Sequence, residues 1–324
     1  MAVKIGLCLP LSDLAAGGAG RSFAQVAADA RRAEELGFDS VWVSDHLFIE
    51  AAPGVRRGSV ECLSTLAAIG AQTSRVLLGS LVVCNAFRHP GMLAKEAGTI
   101  QDISGGRLIL GMGAGWHKPE FDAFGLPFDH RVARLEESVT ALRALLHGER
   151  VTRVGRFYQF RDAELLPRPP SPPKVWIAAF GERILRLTAR VADGWNFAWC
   201  GGDPEPFRRT LAALRRLCAE DGRSPSEIEV SAGVLTMPLE EGADPGHAFA
   251  QLQQVAPQWR GQTLEQFKAR VLIGPPDEIL AGLQRLVAAG AQHLLISVAP
   301  APLARFDPAA IERIGALLPV LRQM

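Results

Sequence analysis

Leu36-Gly37-Phe38-Asp39-Ser40-Val41-Trp42-Val43-Ser44-Asp45-His46 starts as the end of a helix and finishes as the exit of a buried strand. Gly37 supplies the left-handed residue that stops a helix. Ser40–Ser44 is a β-branched-rich apolar run, the pattern of a parallel strand covered on both faces. Asp45 and His46 then emerge together at the strand's carboxyl end. Upstream, Phe23, Val26, Ala27, Ala30 and Ala33 fall on one helical face, with Ser22 placed to cap its start.

The same unit repeats. Val3–Leu9, Ser40–Ser44, Val76–Val83, Arg107–Gly113, Lys174–Phe180, Gly194–Trp199, Glu227–Thr236 and His293–Val298 are apolar runs separated by segments of helical spacing. Ala192-Asp193-Gly194-Trp195-Asn196 and Ala289-Gly290-Ala291-Gln292-His293-Leu294 echo the Gly37 return, each reading as a helix-ending glycine before a strand. Eight strands alternating with helices favour α/β architecture of the closed (β/α)8 TIM-barrel kind over an open sheet. The expected organisation is a single domain, 1–324, with insertions at about 151–173 and 238–263. Such insertions usually become lids or surface hairpins. Gly17–Gly20 and Glu50–Ser59 read as loops on the carboxyl face, where barrel active sites form.

Composition narrows the function. The 324 residues are 48% hydrophobic, and 35 Lys+Arg against 34 Asp+Glu leave a net charge of +1. There is no global electrostatic case for nucleic acid or an anionic membrane, so a small molecule is the expected partner. Five scattered cysteines without a C-x-x-C pair argue against a disulfide framework and for a reducing cytoplasm. The run Val3–Leu9 is too short for a signal-peptide core or a membrane span. Seven dispersed histidines offer no metal-ligand spacing, and no G-x-S-x-G elbow occurs.

Chemistry then rests on strand ends. His46 can donate a hydrogen bond or proton near neutral pH; the alternative is that Asp45 caps a loop and His46 packs. Gly79, inside an apolar strand, signals a bulge or a close ligand approach. Arg88 and His89 read as structural, with Pro90 at the first position of a helix. Gly111-Met112-Gly113-Ala114-Gly115-Trp116 places Trp116 where a dinucleotide fingerprint needs its last glycine, so that fingerprint is rejected. Gly113 and Gly115 clear space for a flat ring or phosphate, and Trp116, His117 and Glu120 follow on a loop. Ala178-Ala179-Phe180-Gly181 opens a helix whose free N–H groups suit a phosphate. Trp199 and Cys200 end the sixth strand at the same rim.

Together, Gly37–His46, Arg88-His89-Pro90, Ile103–Arg107, Gly113–His117, Gly155-Arg156-Phe157-Tyr158 and Ala192–Asn196 resemble the luciferase-like monooxygenase superfamily, especially its deazaflavin-dependent branch, across essentially the whole chain. The resemblance implies a bacterial-luciferase-like barrel holding coenzyme F420, or alternatively FMN, at the carboxyl ends of the strands. It implies a non-prolyl cis peptide at Leu81-Val82 against the ring. His46 matches an active-site histidine; Asp45, Cys84, Gly113 and Gly181 match positions near the cofactor, and Gly115, Trp116, Ala179 and Phe180 join that set. The glutamate that follows the fourth strand in the sugar-phosphate dehydrogenases is Trp116 here, leaving His117 or Glu120 to replace it. The leading expectation is an F420-dependent hydride-transfer oxidoreductase. Its rivals are an FMN-dependent monooxygenase using reduced flavin and O2, and a flavin-binding barrel without turnover. Relatives pair through barrel helices, so a homodimer through Glu61–Thr73 and His89–Ser104 is expected.

Overall fold

The computed structural model describes residues 2–11, 21–52, 54–256, 259–299 and 307–323; the glycine-rich loop expected at 17–20 lies outside them. Among the described residues, eight parallel strands form a closed ring: Lys4–Cys8, Ser40–Val43, Leu77–Ser80, Leu108–Gly113, Lys174–Ala178, Gly194–Cys200, Glu229–Pro238 and His293–Ser297. Each pairs with the next. The first strand also pairs with the eighth, Lys4 opposite His293, so no edge remains. All eight expected strands are present, with the third interrupted at a cis Leu81-Val82 peptide before it resumes at Val83–Cys84.

Local chemistry sets the helix ends. Ser22 and Gln25 form a reciprocal capping box at the start of Phe23–Leu36, and Gly37 ends that helix at φ 93°. Pro90 opens Pro90–Ile103 behind a His89 side chain that accepts from the Gly91 N–H. Gly290 is left-handed as expected, at φ 112°. Gly194 is not. It already belongs to the sixth strand, and a Cβ there would lie 2.3 Å from Trp176 Nε1.

That contact belongs to the amino-terminal floor of the barrel. Trp42, Trp176 and His293 fill it, with ring centroids 5.2 to 5.8 Å apart. A Cβ on Gly6 would sit 2.2 Å from Ser40 Oγ, and one on Gly79 2.1 Å from the Trp42 ring. Gly79 therefore makes room for an indole rather than for a bulge or ligand. Two tryptophans inside a ring of eight strands leave space only where glycines give way, so the floor is closed and any cavity must open at the carboxyl end.

The segments that interrupt the strand–helix rhythm take different forms. Glu50–Ser59 is not an open loop: Ile49–Ala52 and Val55–Arg57 pair as a hairpin. The segment 151–173 starts as a hairpin of Val151–Val154 with Gln159–Ala163. The segment 238–263 is not a simple hairpin. It carries the helix Pro245–Val255, whose Phe249 and Leu252 join Trp259, Phe267, Val271 and Ile273 in a separate small core. No helix among the described residues is long and apolar enough to cross a membrane.

Candidate active site

His46 leaves the second strand toward a carboxylate that sequence distance hides. Glu120, in the first turn of Lys118–Phe124, is 1% exposed. Its Oε2 lies 3.1 Å from His46 Nδ1, and its Oε1 accepts the N–H groups of Leu47 at 2.6 Å and Phe48 at 3.3 Å. A carboxylate so placed accepts a hydrogen bond from Nδ1–H and fixes the imidazole tautomer. Nε2 is then the free nitrogen, able to take a proton from a ligand or return it. The Trp116 indole stands edge-on to the imidazole, centroids 5.7 Å apart.

Asp45, one residue earlier, has other work. Arg88 grips both its oxygens, Nη1 to Oδ2 at 2.7 Å and Nη2 to Oδ1 at 2.9 Å, and the Cys84 N–H donates to Oδ2 at 2.9 Å. This bidentate clamp ties the second strand's exit to the end of the third. Arg88 also contacts Glu61. Burial pushes the Cys84 thiol up to about 12, which keeps it a neutral wall atom rather than a nucleophile.

The fourth-strand glycines also make room for their neighbours. A Cβ on Gly113 would lie 2.7 Å from Val82 Cγ2, and one on Gly115 2.6 Å from Cys84 Sγ. They let the third strand close in and present Leu81, Val82 and Cys84. Gly181 differs, with nothing within 4 Å of such a Cβ. It caps the helix Glu182–Val191 with no side-chain hydrogen bond, so that helix's first N–H groups are left open.

These walls enclose a cavity of about 660 Å³ at the carboxyl ends of the strands, within the range of ligand sites. Of the expected residues, Asp45, His46, Leu81, Val82, Cys84, Gly113, Gly115, Trp116, Glu120 and Phe180 line it. His117, Ala179 and Gly181 are not part of the lining. His117 Nε2 accepts the Glu50 N–H at 3.1 Å, and burial lowers its proton affinity, so it is a neutral acceptor bracing the hairpin.

Sequence reasoning missed much of the rest. The hairpin contributes Ile49, Glu50 and Arg57, and the helices contribute Phe87, Phe121 and Ile184. Asn196, a polar residue in the middle of an apolar strand, was the available signal: it lines the cavity, its Nδ2 donates to Ser231 Oγ, and its Oδ1 is buried without a partner. Trp199, expected at the rim, also lines the cavity, preceded by a cis peptide at Ala198-Trp199, and it packs on the small core of the 238–263 segment.

A family model described as luciferase-like monooxygenase matches residues 3–293. The F420-dependent glucose-6-phosphate dehydrogenase of Microbacterium testaceum is 36% identical over 204 residues, 61% of this chain and 59% of that protein. The chain thus spans less than two thirds of that relative's length. Among solved structures, an F420-dependent secondary alcohol dehydrogenase superposes with a TM-score of 0.83 at 20% identity, over 99% of this chain and all of that one. The monooxygenase RslO1 from Streptomyces bottropensis superposes with a TM-score of 0.78 at 26% identity, over 98% of this chain and 99% of that one.

Proposed function

Because the chain belongs to the luciferase-like monooxygenase family, we propose that its cavity holds coenzyme F420 and that the protein transfers a hydride between that coenzyme and a small organic substrate. The observation that carries this reading is the His46–Glu120 pair, an imidazole held at one nitrogen and open at the other in a mainly apolar cavity. When bound, the deazaflavin supplies the hydride acceptor or donor. At the substrate, His46 Nε2 takes the hydroxyl proton as a carbonyl forms, and returns it in the reverse direction.

The residues present fit the coenzyme. Asn196 Oδ1 is a buried acceptor with no partner, a state that costs about 1–3 kcal/mol until a donor arrives, and a ring N–H would supply one. Leu81 and Val82 would lie against the ring, and the open N–H groups behind Gly181 would face the phosphate. Glucose 6-phosphate belongs to the relatives' name and is not carried over, because this wall offers mainly apolar side chains where a sugar needs polar partners.

The similarity to RslO1 along the full chain favours a second reading, an FMN-dependent monooxygenase. Fluorescence titration of the purified protein with F420 and with FMN tests the choice. Tighter binding of F420 is expected; FMN binding without F420 binding would install the second reading.

As further parts of the proposal, the chain forms one domain and works in the cytoplasm, in keeping with five free cysteines. It pairs as a homodimer through Glu61–Thr73 and His89–Ser104, where Met92 and Ile103 are exposed. Leu166 is exposed beside them, its carbonyl accepting from Lys95.

A further inference from the structure

The charged side chains of the cavity are matched within the protein, with one exception. Asp45 is held by Arg88, Glu120 by His46 and two backbone N–H groups, and Glu50 by the Gly54 N–H at 3.0 Å. Arg57 also lines the cavity, and among the described residues it has no hydrogen-bond or ion-pair partner. Burial lowers the proton affinity of its guanidinium, and no neighbouring carboxylate acts to raise it.

Arg57 sits opposite Ile49 in the hairpin, and both line the cavity. Its neighbour Arg56 is not part of that lining and rests its guanidinium 4.4 Å from the centre of the Phe48 ring. Arginine stays charged at every pH the protein meets. Arg57 shares the cavity with apolar groups such as Ile49, Leu81, Phe87 and Trp199, and its partly desolvated guanidinium has no counter-charge there, which an anionic ligand would supply.

Resting on the hydride-transfer reading above, we infer that Arg57 is the anion-recognising residue of the substrate site, and that the substrate is an amphiphilic anion, an apolar body bearing a carboxylate or phosphate-type oxyanion. The guanidinium fork matches either group bidentately. The site is distinct from the phosphate position proposed at Gly181. Arg57 follows the second strand and Gly181 the fifth, and the third and fourth strands separate them around the ring.

The test is tryptophan fluorescence, to which Trp116 and Trp199 in the cavity wall contribute. Hexanoate, hexyl phosphate and neutral hexanamide are titrated into the full chain, with and without F420, for wild type, Arg57→Gln and Arg57→Lys. The anions should bind wild type more tightly than hexanamide by on the order of 10-fold. That preference should survive in Arg57→Lys and vanish in Arg57→Gln, with F420 affinity equal in all three. Equal binding of hexanoate and hexanamide to wild type overturns the proposal, whether or not Arg57→Gln folds. So does a preference that survives Arg57→Gln. Loss of F420 affinity in Arg57→Gln, with the phosphate-free ribityl form of the chromophore still bound normally, gives Arg57 to the coenzyme's own anion and also overturns it. If F420 binds none of the three proteins while the Arg57-dependent preference persists, the anion site stands and the hydride-transfer reading falls.

Discussion

His46 and Glu120 lie 74 positions apart in the chain and meet with Nδ1 3.1 Å from Oε2 at the mouth of the barrel. The same glutamate holds the backbone N–H groups of Leu47 and Phe48, so one carboxylate fixes both the imidazole and the turn that carries it. Glu120 is a positioning residue on this account. Glu120→Gln can still accept from the backbone but need not enforce the Nδ1–H tautomer. It should lower kcat by on the order of 10-fold, leave coenzyme affinity nearly unchanged, and alter the pH profile of kcat. A purely structural role predicts lost folding with an unchanged profile in the folded fraction.

Two groups at the barrel floor link stability to pH. Burial raises the Glu229 carboxyl, but hydrogen bonds and charge from His293 and Lys4 outweigh it and hold the group well below the usual carboxylate range. Burial lowers His293, more than Glu229 raises it, so its proton affinity is below the ordinary value of 6.5. In both cases the unfolded chain binds protons more readily than the folded one. Their stabilisation is therefore complete above pH 6.5 and is lost as pH falls, first through the histidine range and then below the ordinary carboxyl value of 4.5. Thermal melts from pH 8 to pH 4 should show Tm falling with acidification, less steeply in His293→Gln, which cannot take up the proton.

Gly79 and Gly181 should respond oppositely to one added methyl. Gly79→Ala drives a Cβ into the Trp42 indole and should destabilise the fold by about 3 kcal/mol in urea unfolding. Gly181→Ala meets nothing and should change stability by less than about 0.5 kcal/mol. Equal effects would contradict the packing assigned to the floor.

Met92→Glu places a charge on the proposed pairing face, where Met92 is 58% exposed. Multi-angle light scattering should show the wild type as a dimer and the variant shifted toward monomer, with melting behaviour of the monomer otherwise ordinary. A monomeric wild type at micromolar concentration removes the dimer.

The strands were legible because a parallel strand buried on both faces must be apolar almost throughout, as in Ser40–Val43, whose four residues are all buried. The strand-end position of His46 followed from that alone. Its partner did not. Asp45 is adjacent in sequence, yet alternation along the strand sends it to Arg88, while Glu120 arrives through the fold of the fourth strand's exit. Gly79 misled for a related reason: it yields to Trp42, a neighbour named only by strand register. The helix Pro245–Val255 was hidden because its apolar residues serve a local core within a segment punctuated by Gly and Pro.

The central claim, hydride transfer with His46 as the proton partner, is tested most directly by single-turnover oxidation of reduced F420 bound to wild type and to His46→Ala, followed by the return of deazaflavin absorbance on mixing with a ketone bearing a carboxylate. The account predicts that the variant binds the coenzyme with wild-type affinity and reacts slower by on the order of 10²–10⁴. A well-folded His46→Ala protein that turns over at the wild-type rate would contradict it.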